Sequence, residues 1–112
     1  MLSFQTGVMR TTTLGATDHA MVYDEARQRL VLFGGYTKNG FRMYDETWET
    51  DGTTWTLRSV ARRPDARQGH VLVYDAHRRV TVLFGGLAVN AGRILYRAND
   101  TWEWDGSAWT QR

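Results

Sequence analysis

The sequence contains no cysteine, one proline and one lysine. The missing cysteine excludes disulfides, thiolate metal sites and cysteine nucleophiles. Pro64 is the single proline and Lys38 the single lysine, so the cationic charge is nearly all guanidinium. No apolar run is long enough to span a bilayer, which argues against a membrane partner. The opening "MLSFQTGVMRTTTLG" has no basic stretch ahead of an apolar core, so it does not read as a signal peptide. Also lacking are a Ser-centred nucleophile motif, a Gly-rich phosphate loop and a metal-spaced His pair. Dense oxygen ligands of a calcium loop are missing too. The chain therefore reads as non-catalytic, with no cofactor and no metal. Its net charge of +2 is mild. Without a basic helix or an aromatic RNA-binding signature, nucleic acid is a disfavoured partner.

What is present is a repeat. "HAMVYDEARQRLVLFGG" begins at His19 and "HVLVYDAHRRVTVLFGG" at His70, an offset of 51 residues, with ten of 17 positions identical. "ETWETDGTTWTLR" and "DTWEWDGSAWTQR" follow at an offset of 54, with eight of 13 identical. A period near 50 residues signals repeated structural units. "HAMVYD" and "HVLVYD" read as strands. "RLVLFGG" and "VTVLFGG" suit strands buried on both faces. "ETWET" and "DTWEW" alternate Trp with polar residues. Asp51-Gly52 and Asp105-Gly106 supply the positive φ of a tight hairpin turn before "TTWTLR" and "SAWTQR". Each copy is then a four-stranded antiparallel meander, and the chain is all-β.

Gly-Gly after the second strand, with Trp on the third and fourth, resembles the kelch repeat. The "LFGG", "DTWEWDG" and "WT" motifs are similar to those of galactose-oxidase-like central domains. The resemblance implies two kelch-type blades of a β-propeller, at residues 19–58 and 70–112. Residues 59–69 form the inter-blade link, and residues 1–18 a leader or partial strand. Oxidase chemistry of that family depends on a Tyr–Cys crosslink at copper, which a chain without cysteine lacks.

Propellers close with roughly four to eight blades. Two blades leave apolar faces open, so the expected partner is the chain itself, as a trimer or tetramer completing a ring. The alternative is the remaining blades of a longer chain, which includes a fragment of a larger propeller-containing enzyme.

His19, His70 and the Asp24/Asp75 and Asp51/Asp105 pairs recur in register, which suits structural roles in strands and turns. Four of the five Trp residues also recur; Trp104 has no twin. The segments where the copies diverge are 36–44, 59–69 and 87–98, and strand parity puts them on one face. They carry the candidate binding residues Tyr36, Phe41, Arg42, Tyr44, Arg62, Arg63, Arg93, Tyr96 and Arg97. Function concentrates on loops held by a rigid scaffold, and Tyr and Arg are favoured in binding hot spots. The expected role is a scaffold that binds protein through this face; a lectin-like module for carbohydrate is the alternative.

Overall fold

The computed structural model describes residues 20–37 and 42–112. Within them the chain is all-β. The leader, His19 and Phe41 lie outside the described residues.

Each copy of the repeat builds one four-stranded antiparallel sheet. The first contains β1 (Ala20–Asp24), β2 (Arg29–Phe33), β5 (Thr47–Thr50) and β6 (Trp55–Leu57), in the order β1-β2-β5-β6. The second contains β8 (Val71–Asp75), β9 (Val80–Phe84), β12 (Thr101–Trp104) and β13 (Trp109–Gln111), in the order β8-β9-β12-β13. Their registers match residue for residue: Leu32 pairs with Trp48 in one, Leu83 with Trp102 in the other. The Asp-Gly turns form as expected, with Asp51 accepting from the Thr53 and Thr54 amides and Asp105 from those of Ser107 and Ala108.

Segments expected as loops carry structure of their own. After β2 the chain makes a small hairpin, β3 (Tyr36–Thr37) with β4 (Arg42–Met43). The link contains β7 (Ala66–Gln68), which pairs with β10 (Leu87–Val89), itself paired with β11 (Leu95–Arg97). The glycine pairs start these excursions. At Gly34 φ is +79°, and a Cβ there would lie 2.7 Å from the His70 ring and 2.8 Å from the Arg67 carbonyl oxygen. A side chain fits neither the backbone conformation nor the space.

Period-2 alternation decides what each sheet buries. Val31 and Phe33 of β2 face the second sheet, while Leu72, Leu83, Trp102, Trp104 and Trp109 face the first. These seven residues form the core, with Ala20, Val22 and Val60 packed at its margin. Trp109 meets Phe33 edge-on at 5.4 Å and Trp104 in a tilted stack at 5.4 Å, geometries that aromatic quadrupoles favour. Trp104, the tryptophan without a twin, is wholly buried.

Four charged residues recur around each sheet. Arg27 binds Asp24 and grips Glu49 with two bonds of 3.0 and 2.6 Å, and Arg58 reaches Glu49 at 3.0 Å. In the second sheet Arg78 binds Asp75 and reaches Glu103 at 2.6 Å, while Arg112 reaches Glu103 at 3.0 Å. These quartets tie the first turn of each sheet to its last two strands. The first also ties the sheets together, because the Trp104 indole donates to Glu49 at 2.8 Å and Arg58 donates to the Gly106 carbonyl at 2.9 Å.

Candidate functional site

The two hairpins stand side by side on the face that strand parity assigns to the divergent segments. Between them lies a cleft of about 750 Å³, lined by Arg42, Met43, Asp45, Asp65, Ala66, Val89, Asn90, Ala91, Arg93 and Leu95. Its walls are held from below by backbone bonds. Gly35 donates to the Arg67 carbonyl at 2.8 Å, Tyr44 to Gly35 at 2.9 Å and Arg67 to Tyr44 at 3.3 Å. The first hairpin is thereby stitched to β7, the edge of the second small sheet.

Beneath the cleft floor Arg67 is fully buried, with its guanidinium forked onto Asp100 at 2.8 and 3.0 Å. It also donates to the Gly85 and Asp65 carbonyls. Asp100 accepts the Trp102 indole N–H at 2.8 Å. The hydrogen bonds from Arg67, helped by Trp102, hold the Asp100 carboxyl below its ordinary value despite partial burial. His70 seals the other side: Nε2 lies 2.7 Å from the Phe33 carbonyl, which can only accept, so the ring donates there. It is a structural link between the sheets, as its recurrence in the first strand implied.

The candidate binding residues divide into three groups. Arg42 and Arg93 line the cleft and are exposed. Arg42 lies over the Tyr44 ring at 5.0 Å, and Arg93 holds a left-handed backbone, φ +65°, at the tip of the β10–β11 hairpin. A second group is engaged in packing or bonding. Tyr44 is buried beneath Arg42. Arg62 stacks over Trp102 at 5.4 Å, and Arg63 pairs with Asp45 at 3.0 Å. Tyr96 donates to Asp65 at 2.6 Å; partial desolvation and that bond push its hydroxyl up to about 12. The third group, half-buried Tyr36 and exposed Arg97, is absent from the cleft walls.

Sequence reasoning missed the two acids of the cleft, Asp45 and Asp65. Both sit beside residues it selected, but one pairs with Arg63 and the other accepts from Tyr96. Neither pairing follows from sequence spacing. The charged quartets were legible in principle, since Asp, Arg, Glu and Arg recur at offsets 51, 51, 54 and 54.

The acids of the cleft are already engaged, while Arg42 and Arg93 meet no carboxylate among the described residues. No group of three or more His, Asp or Glu among the described residues is placed to hold a metal ion. Fold and cleft together define an all-β protein of two face-packed, four-stranded antiparallel sheets with a hairpin-walled groove on one side. Neither a protein-family model nor a curated protein matches the chain.

Proposed function

We propose that the chain is a non-catalytic binding module, two kelch-type blades of a β-propeller, whose hairpin cleft receives an acidic segment of a partner protein. The blade reading rests on the repeat motif and on two matching four-stranded sheets stacked face to face. Further blades complete the core.

One observation carries the ligand preference: the cleft holds two exposed arginines that pair with no carboxylate among the described residues, while both its aspartates are occupied. Arginine forks onto carboxylates with two parallel bonds, so an acidic side chain entering the groove gains charge-assisted contacts. Catalysis by a carboxylate pair is disfavoured because Asp45 and Asp65 are committed to Arg63 and Tyr96.

The test is a displayed peptide library panned against the full chain, followed by anisotropy with the enriched peptides. Acidic sequences should dominate. The Arg42→Ser, Arg93→Ser double variant should lose at least roughly tenfold in affinity, in line with one or more charged contacts removed. Its melting temperature should match the parent. Enrichment of neutral or basic peptides would refute the acidic preference, and binding confined to a glycan array would replace the protein partner with carbohydrate.

A further inference from the structure

The two sheets are equivalent, but their outward faces are not. On β8 and β9 the side chains that point away from the core are Val71, Val73, Val82 and Phe84. Val71, Val73 and Phe84 are 54%, 52% and 50% exposed. Their counterparts, 51 residues earlier, are Ala20, Val22 and Phe33, which pack against the second sheet. The second sheet thus repeats toward solvent the surface on which it is itself seated.

The polar pattern repeats as well. At the interface within the chain, Glu49 and Thr47 accept the indole N–H groups of Trp104 and Trp109 at 2.8 and 2.9 Å. The equivalent acceptors on the outward face are Glu103 and Thr101. Glu49 takes four donors, from Arg27 twice, Arg58 and Trp104. Glu103 takes two, from Arg78 and Arg112. A carboxylate offers about four lone-pair sites, so Glu103 has room for an indole donor.

The seated element within the chain is the tripeptide Trp104-Asp105-Gly106. Trp104 donates to Glu49, the Gly106 carbonyl accepts from Arg58, and Gly106 lies flat on Arg27. A Cβ at Gly106 would stand 2.7 Å from Arg27 Nε. The first sheet carries Thr50-Asp51-Gly52 at this position, and no described residue lies within 4 Å of where a Gly52 Cβ would be. Thr50 is too short to reach a carboxylate as an indole does. Leu32, the counterpart of the core residue Leu83, points away from the second sheet yet is already 0% exposed. The first sheet's outer face therefore lacks the counterpart of the Trp104 indole, although it keeps Trp55 in the place of Trp109 and exposes Tyr23 and Leu57.

We propose that the Glu103 face of the second sheet is a docking surface for a further four-stranded sheet whose third strand ends in Trp-Asp-Gly, and not for the first sheet of a second copy of this chain. The inference rests on reading the two sheets as equivalent blades, and it concerns a surface separate from the cleft.

The experiment extends the full chain at Arg112 with a second copy of residues 59–112, which reproduces the link and sheet that follow Arg58. Docking should slow amide exchange at Val71, Val73 and Phe84 by roughly tenfold or more. It should raise the melting temperature by about 5 °C or more. A version with Trp104→Thr in the appended copy alone should lose most of both effects. Equal effects from the two versions would overturn the Trp-Asp-Gly requirement while leaving the blade reading in place. No protection in either would overturn both. Independently of how the extended chain behaves, sedimentation of the unmodified protein should give the mass of one chain. A closed trimer or tetramer would show that the first sheet occupies this face, and the proposal would fall.

Discussion

Glu49 and Glu103 are twins in sequence and in ion pairing, yet their environments differ. Glu49 is sealed by Trp104 and gripped by two partly covered arginines, whereas Arg78 and Arg112 around Glu103 are about half exposed, at 47% and 59%. Glu49→Gln leaves buried donors facing no anion and should cost about 2–4 kcal/mol, moderated because Arg27 and Arg58 reach solvent. Glu103 is itself buried, but its partner arginines stand about half in water, so Glu103→Gln should cost less, about 1 kcal/mol. Urea unfolding of the two variants checks the difference; equal losses would contradict the interface role of Glu49. Acid should act through the same groups. Burial pushes the Glu49 carboxyl up, but bonds from Arg27 and Trp104 outweigh it and leave it below its ordinary value. The bond from Arg78 lowers Glu103, and that from Arg67 lowers Asp100. Below the ordinary carboxylate range, near pH 4, the unfolded chain binds more protons than the folded one, so stability rises with pH there. The contribution is complete above that range and is lost as pH falls through the depressed folded values. Melting temperatures at pH 7, 5 and 3 should fall mainly in the last interval, and less in Glu49→Gln relative to its own starting point.

At the scale of elements, the eight strands of the large sheets were legible because alternation, Gly-Gly and Asp-Gly each mark them locally. The small strands were not. β3 and β4 are two residues long, and β7 pairs with a strand some 20 residues away, so neither leaves a periodic trace. The candidate site was half legible for the same reason. Composition picked out Arg42 and Arg93, but it also selected Tyr44 and Tyr96, whose burial and bonding depend on those unseen pairings. Tyr96 thus braces the cleft residue Asp65 from behind rather than forming an exposed contact surface. Tyr96→Phe keeps the ring and removes the bond to Asp65, and should cost about 1–2 kcal/mol, since the acceptor is charged. Amide exchange at Ala66–Gln68 should quicken with it. Arg67→Met should be harsher, about 3–5 kcal/mol, because it strips Asp100 of its partner at a buried site. Unchanged melting temperatures in these variants would show that the floor of the cleft is not held as described.

For the molecule as a whole, the net charge of +2 understates how its charges are arranged. Both quartets, the Arg67–Asp100 pair and Arg63–Asp45 are internal pairings that engage six of the 14 cationic residues, and the remaining cations are balanced by acids to within the small net charge. Binding to duplex DNA should be weak and vanish within modest added salt, in contrast to the steep salt dependence of proteins that neutralise many phosphates. A retained complex at 0.2 M salt would contradict this. The offset of 54 after the glycines, against 51 before them, has a further consequence. The three additional residues fall between Gly86 and Ala98, where the base is closed by Ala98 donating to the Gly86 carbonyl at 2.8 Å and Gly85 to Asp100 at 3.4 Å. The shorter hairpin is clamped in the same way, by Tyr44 donating to Gly35 and Gly34 to Glu46. Length variation has been absorbed beyond a clasp that the large sheets never feel. Doubling a closed loop costs only about 0.6 kcal/mol. The turn at Asn90–Arg93 is therefore a socket for foreign sequence: a tag, an epitope or a longer recognition loop can be spliced in there while the scaffold beneath keeps its shape.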